Sequence, residues 1–393
     1  MTYTRTGSRG SYEAVSYAQL PHWGADQHAM ALLAFSRTFA ALDSSANTIA
    51  IRAIKEAEAD GPRIECSDEL QEICGEAISL INRGSVSDTE ARLFFEQRFV
   101  PHRRVCGDAG RSDTNGFLTG YYEPVLKGSR RKTADFRVAL LRRPPDLVNL
   151  VDEALRGAES TRFTHARKLP DGTTQPYAAR REIENGHLDA LGLAFLYVAD
   201  PVDAYFMHVQ GSGLIELEGG EPLRIGYDGK NGHPYTSIGQ HVIGLGEIDE
   251  AEMTLDRLKS WLRADPVGGQ QTMWLNASYI FFKELGPASS ALPLGVRDIP
   301  LTEGRSLAVD AAWHGLGLPI FVSAPELAHA CQCAQGFHRL MVAQDAGSAI
   351  RGPERGDIFF GTGEAAGVLA GKTRHAGMFH VLLPRQACNG RAS

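Results

Sequence analysis

Three aspartates stand where carboxylates can do proton chemistry: Asp310, Asp345 and Asp357. Each borders a short apolar run. Leu307-Ala308-Val309 leads into Asp310, Leu340-Met341-Val342-Ala343 leads towards Asp345, and Ile358-Phe359-Phe360 follows Asp357. Apolar runs of this length bounded by Gly and Pro read as buried strands. The carboxylates therefore fall at strand ends, on chain whose glycines allow close backbone approach. Taken alone, Asp345 and Asp357 read better as turn residues, because Asp is a common turn former. Tyr121, Tyr122, Tyr205 and Phe206 offer flat apolar faces of the kind sugars stack on, although each by itself reads as core or rim. Carboxylates combined with aromatics suit glycoside chemistry, in which an acid protonates a leaving oxygen.

Other chemistries fit less well. Gly367-Val368-Leu369-Ala370-Gly371-Lys372-Thr373 has three residues between its glycines. A phosphate loop needs four, so nucleotide binding is not expected. Gly361-Thr362-Gly363 lacks the third glycine and the βαβ setting of a dinucleotide fingerprint. His375 and His380 are spaced unlike helical metal ligands, no HExxH occurs, and Cys331-Gln332-Cys333 is too tight for zinc. No metal and no cofactor are expected. Gln210-Gly211-Ser212-Gly213 is not a nucleophile elbow. Its glycines suit backbone contact with a polar ligand, and its bland reading is a tight hairpin turn. Cys66 and Cys74 are close enough in sequence to pair, with buried thiols the equal alternative.

The elements that must carry these residues change character along the 393-residue chain, which is long enough for two or three domains. Residues 1–26 are polar and read as a poorly tied arm. From His28 to about Val100 the pattern is helical: Met30, Leu32, Leu33, Phe35, Phe39 and Leu42 recur at helix spacing, a second helix is predicted near Thr48 to Ala59, and a third from Ser67 or Asp68. A fourth helix follows the capping box Ser87-Asp88-Thr89-Glu90. From Gly116 to about Gly239 short strands and turns dominate. Strands are predicted at Arg137–Leu141, Leu193–Val198, Ala204–Val209, Leu214–Leu217 and Pro222–Tyr227, with helices near Leu147–Arg156 and Arg180–Glu184. Such spacing suggests a small barrel. Helix returns at Gly239–Leu245 and Leu255–Leu262, a strand-like run follows at Asn276–Phe282, and the end is β-rich again. A net charge of −7 argues against nucleic-acid binding. No apolar run reaches membrane-span length, and the first twenty residues do not read as a signal peptide.

Three segments carry a specific resemblance. They are Phe117-Leu118-Thr119-Gly120-Tyr121-Tyr122-Glu123-Pro124, the stretch from Asp203 to Gly213, and Asn276-Ala277-Ser278-Tyr279. With Asp310, Asp345 and Asp357 as the marks of a C-terminal three-aspartate domain, the chain resembles the membrane-bound lytic murein transglycosylase A family from about Phe117 to Leu383. The resemblance implies a mainly β fold with attached helices: a double-psi β-barrel domain plus an inserted smaller β-barrel domain. It implies boundaries at 1–116, 117–240 and 241–393, with the three-aspartate domain at about 299–384. A glycan strand would lie in a groove between the domains. The implied reaction cuts the β-1,4 bond of peptidoglycan without water and leaves a 1,6-anhydro sugar. Asp357 matches the catalytic acid, and Asp345 would be its orienting or pKa-tuning partner. Thr119, Gly120, Tyr121, Gln210, Gly211, Ser212 and Asp310 would serve substrate binding, with Asp310 also readable as structural. The expected partner is the glycan strand, with other cell-wall enzymes as further candidates and a monomeric chain. The expected place is the periplasm or the outer membrane, although no lipid-anchor Cys is visible near the start. A hydrolase using Asp345 to activate water and a non-catalytic glycan-binding module are the competing readings.

Overall fold

The computed structural model describes residues 2–3, 11–42, 68–105, 116–150, 163–287, 291–330, 335–347 and 349–385. The chain divides into two units. The first comprises Met1–Gly120, Gly295–Phe359 and Thr373–Ser393, and the second Tyr121–Leu294 and Phe360–Lys372.

In the first unit, strands β1 (Thr2–Tyr3) and β2 (Ser11–Ala14) precede helices α1 (His28–Leu42), α2 (Asp68–Asn82) and α3 (Asp88–Arg98). The capping box forms as its sequence dictates. Ser87 Oγ accepts from Glu90 N at 3.2 Å, and Glu90 Oε2 accepts from Ser87 N at 2.9 Å. Phe35 of α1 meets Phe95 and Phe99 edge-on, with ring centroids 6.0 and 5.8 Å apart. Strands β3 (Phe99–Val105) and β4 (Gly116–Glu123) follow.

The second unit contains β5 (Val125–Ser129), β6 (Val138–Leu141), β7 (Leu147–Asn149), β8 (His165–Lys168), β9 (Thr174–Gln175) and β10 (Ala194–Val198). It continues with β11 (Ser212–Leu217), β12 (Leu223–Lys230) and β13 (Ile280–Pro287). Helices α4 (Arg180–Glu184), α5 (Pro201–Gln210), α6 (Ile238–Gly244), α7 (Leu255–Ala264) and α8 (Pro266–Trp274) accompany them. Six strands form a sheet in the order β13-β12-β11-β5-β10-β6, whose edge strands approach each other. Its core holds Leu140, Leu196, Val198, Met207, Ile215, Ile225 and Phe282. A buried carboxylate, Glu123, takes two bonds from Arg224 at 2.8 and 2.9 Å and one from Thr362 Oγ1 at 2.7 Å. A buried charge persists only when paired in this way.

The chain then returns to the first unit with β14 (Ser306–Val309), β15 (Pro319–Ala324), β16 (Phe337–Ala346), β17 (Arg355–Thr362), α9 (Glu364–Lys372, in the second unit) and β18 (Arg374–Pro384). Hydrogen bonding runs β18-β15-β16-β14-β17-β4, and β4 pairs back with β18. That ring is a closed six-stranded barrel, which leaves no open edge among its members. β14 and β16 pair in parallel, whereas β14 and β17 are antiparallel. On the outside, β3 extends from β18, and β2 from β3. The fold is thus mainly β with attached helices, in line with the expectation.

Four local expectations are corrected. Residues 11–26 are not a loose arm: β2 joins the sheet, and Asp26 forms a buried bidentate ion pair with Arg305 at 2.8 and 2.9 Å. Ala204–Val209 is helix, because Asp200 caps α5 through Val202 N, Pro201 fits its first turn, and Gly211 closes it in the left-handed region at φ 86°. Leu147–Asn149 is a strand, paired with β8, Leu150 N then donates to Thr164 O, and residues 151–156 of that predicted helix lie outside the described residues. The run from Asn276 becomes strand only at Ile280, since Asn276 Oδ1 accepts from Thr236 N and Ser278 N instead of leaving the backbone to pair. The helix predicted near Thr48 lies outside the described residues, as does Cys66. Cys74 is buried in α2 with its thiol donating to Phe35 O.

Candidate active site

β17 alternates. A Cβ at Gly356 would stand 2.7 Å from the Phe379 ring and 2.9 Å from Leu307 Cδ1, so this position faces packed core and tolerates no side chain. Ile358, two residues on, is also fully buried. Arg355 and Asp357 therefore share the opposite face of the strand. The same period on β4 puts Phe117 and Thr119 together.

These four residues make one cluster. Thr119 Oγ1 donates to Asp357 Oδ1 at 2.6 Å. Arg355 Nη2 donates to Thr119 Oγ1 at 2.7 Å, and its Nη1 donates to the backbone oxygen of Gly356. The guanidinium also lies over the Phe117 ring, 5.2 Å from its centroid, a cation–π arrangement. Burial pushes the Asp357 carboxyl above the ordinary carboxylate range, and the Arg355 charge and the Thr119 hydrogen bond oppose that rise. Asp357 as a whole residue is half-buried.

Asp345 sits on the far side of β14. Ala308 is the register partner of Asp345 on β16 and of Asp357 on β17. The two aspartates are thus level with each other and two strand spacings apart, roughly 10 Å between Cα atoms. Asp345 Oδ1 accepts from Val296 N at 3.1 Å and Ala346 N at 2.9 Å. The proposed cause of a raised Asp357 pKa is therefore burial rather than a touching carboxylate. Asp310 is buried, and both its oxygens hold backbone: Oδ1 takes Ala312 N at 3.0 Å and Oδ2 takes Gly352 N at 2.7 Å.

The remaining predicted residues divide by unit. Gly120 ends the first unit on β4. Tyr121 is buried in the second unit, where Gln210 Oε1 accepts from Tyr122 N at 3.0 Å. Gly211 is the α5 cap and Ser212 opens β11, so the tetrapeptide is a helix-to-strand junction rather than a hairpin turn. Arg355 is the site residue that sequence reading missed. Its signal is a basic side chain two positions before Asp357, which shares a face with it only because the strand begins at Arg355, ahead of the predicted run.

Among the described residues, no group of three or more His, Cys, Asp or Glu could hold a metal ion, and no helix is long and apolar enough to cross a membrane.

The chain resembles known proteins along most of its length. Residues 117–283 match the MltA specific insert domain and residues 305–383 the 3D domain. A membrane-bound lytic murein transglycosylase A from Vibrio cholerae is 34% identical over 272 residues, 68% of this chain and 65% of the relative. Its Escherichia coli K12 counterpart is 33% identical over 269 residues, 67% and 65% of the two chains. The match thus spans 65% of the length of these curated relatives, just under two thirds. A crystal structure of membrane-bound lytic murein transglycosylase from Agrobacterium tumefaciens superposes with a TM-score of 0.79 at 34% identity, covering 96% of this chain and 99% of that one. With two family domains in the expected order and a relative of this identity covered almost end to end, the chain belongs to the membrane-bound lytic murein transglycosylase A family.

Proposed function

We propose that the protein is a lytic transglycosylase that cuts the β-1,4 bond between N-acetylmuramic acid and N-acetylglucosamine in peptidoglycan. Asp357 acts twice. Protonated, it gives its proton to the glycosidic oxygen. As carboxylate, it takes the proton of the muramoyl C6 hydroxyl, which attacks C1 of the same sugar and closes the 1,6-anhydro ring. The nucleophile belongs to the substrate, so its effective concentration is high and no second carboxylate has to activate water. The observation that carries this reading is the Asp357 carboxyl itself, lifted by burial and held by Thr119. An acid must keep its proton near the working pH, and burial is the physical means.

Thr119 orients Asp357, and Arg355 orients Thr119. Asp345, held by two backbone N–H groups, steadies the neighbouring strand end. Asp310 acts through the backbone it grips. Gly120, Tyr121, Gln210, Gly211 and Ser212 are proposed as glycan contacts, with Tyr121 as a stacking face. The chain is proposed to work as a monomer in the cell envelope, because murein lies outside the inner membrane and the relatives bear the name membrane-bound. Domain limits near 116 and 240 remain part of this proposal.

Purified murein digested with wild type and with Asp357→Asn, followed by mass spectrometry of the products, tests it. Anhydro ends from wild type and none from the variant are expected. Reducing ends would mean a hydrolase, and binding without products would mean a glycan-binding module.

A further inference from the structure

The turn that launches β17 is gripped from one side by two residues of a single loop. Asp310 O accepts from Trp313 N at 2.9 Å and from His314 N at 3.0 Å, which folds residues 310–314 into one turn just after β14. That turn points two side chains at the same place. Asp310 Oδ2 accepts from Gly352 N at 2.7 Å, and His314 Nε2 lies 2.6 Å from Pro353 O. A carbonyl oxygen only accepts, so Nε2 carries the hydrogen and donates. The imidazole is therefore in its Nε2–H tautomer, and Nδ1 is unprotonated in the neutral ring. His314 is fully buried, and among the described residues Nδ1 has no hydrogen-bond partner. Burial also holds the imidazole pKa below its usual value, which keeps the ring neutral and the tautomer fixed.

The gripped peptide has little freedom of its own. Gly352 stands at φ 105°, in the region reserved for glycine. The next residue but one, Glu354, accepts from Phe117 N at 2.8 Å and so begins the pairing with β4. Arg355 and Asp357 follow on one face. A shift of the 352–353 peptide along the strand direction would carry the Asp357 carboxyl away from Thr119 Oγ1. An ordinary packing residue would fill the volume at 314 without a donor. Among the described residues, a histidine there leaves one ring nitrogen buried and without a partner, a cost that packing alone does not explain.

We propose that His314 is a positioning residue for the reaction: by donating to Pro353 O while Asp310 accepts from Gly352 N, it fixes the start of β17 and so the placement of Asp357. The proposal rests on the reading of Asp357 as the acid.

The test is steady-state cleavage of a soluble glycan-strand substrate by wild type, His314→Gln, His314→Leu and Asp357→Asn, each checked for folding by circular dichroism. The Gln amide reaches the carbonyl and donates as Nε2–H does, whereas Leu fills space without donating. His314→Leu is expected to lose about 10- to 100-fold in kcat, the scale of a small misplacement of reacting groups, with KM within about twofold. His314→Gln should recover most of that loss. If His314→Leu is misfolded, His314→Asn, too short to reach the carbonyl, is read in its place. Wild-type kcat in a folded non-donating variant overturns the proposal while leaving Asp357 as the acid. A KM rise with kcat unchanged, or no rescue by Gln, overturns it as well. An active Asp357→Asn overturns the acid reading itself, and the positioning role falls with it.

Discussion

Thr119 Oγ1 stands 2.6 Å from Asp357 Oδ1 and receives a hydrogen bond from Arg355 at 2.7 Å. Because the hydroxyl accepts from the guanidinium, its own hydrogen is directed at the carboxylate. Two influences thus act on one carboxyl group. Burial favours the acid, and the Arg355–Thr119 chain favours the anion. A group that must give a proton and then take one back needs both forms within reach.

Replacing Thr119 with Val keeps the shape and removes the donor. A hydrogen bond to a charged group is worth about 1.5–3 kcal/mol, so kcat should fall on the order of 10- to 100-fold. The lost bond had lowered the Asp357 pKa, so the basic limb of the pH–rate profile should move to higher pH. Thr119→Ser should restore both. A pH–rate series on the three proteins decides it, and an unmoved basic limb in Thr119→Val would remove Thr119 from the mechanism.

Arg355→Met takes away the charge that opposes the raised pKa and also frees the Thr119 hydroxyl to turn. The basic limb should rise further than in Thr119→Val, since the charge is the larger of the two opposing influences. Arg355→Lys keeps a charge but not the fork that reaches both Thr119 Oγ1 and the Gly356 carbonyl. It should therefore restore the position of the basic limb more fully than the rate. Equal pH profiles for Met and Lys would contradict this division of roles.

Asp357 also leaves a signature in stability. Its folded pKa lies above the ordinary unfolded value, so the folded state holds the proton more tightly. The resulting stabilisation is full below the unfolded pKa and is lost as pH rises through the folded one. Asp357→Asn has no proton to lose. Thermal unfolding of the two proteins between acid and neutral pH should show the variant gaining on wild type as pH rises. A constant difference would mean that the carboxyl is not shifted upward.

How far the sequence disclosed this site follows from the range of each interaction. The apolar run beside Asp357 marks a strand there, but read locally the residue is a turn former, and only the family resemblance singles it out as the acid. Arg355 stands ahead of the predicted apolar run, so no periodicity ties it to the carboxylate until the strand is seen to begin at Arg355. The α5 helix was misread as a strand although Asp200, Pro201 and Gly211 mark both its ends. The cause was the apolar run Ala204–Met207, which satisfies a strand template as well as a helix. The loop at 310–314 offered no signal at all, because its partners at 352 and 353 are brought near only by the closed barrel.

Asp345→Asn separates the favoured reading from a hydrolase. The Asn side-chain oxygen can still accept from Val296 N and Ala346 N. Under the proposed reaction it should keep activity within about tenfold, since no hydrogen bond to a reacting group is lost, and the products should still carry anhydro ends. A water-activating base could not survive that change, so near-complete loss of activity with reducing-end products from wild type would favour the hydrolase. Asp345 Oδ1 is already engaged by two backbone donors, which is the reason for the first expectation.

The ion pair of Asp26 and Arg305 joins residues 279 positions apart and is almost free of solvent. Asp26 also accepts from Leu340 N at 2.7 Å, and Arg305 donates to Leu340 O at 2.9 Å. The pair therefore anchors the segment before α1 to the strand that carries Asp345. Arg305→Met leaves the Asp26 carboxylate buried and unpaired, at a cost of about 3–5 kcal/mol. Removing both charges with Asp26→Leu and Arg305→Met should recover much of that loss, because the penalty belongs to the stranded charge rather than to the pair. Urea unfolding of both single variants and the double variant measures the coupling. If the segment ahead of α1 were the loose arm that its composition suggests, all three would unfold like wild type.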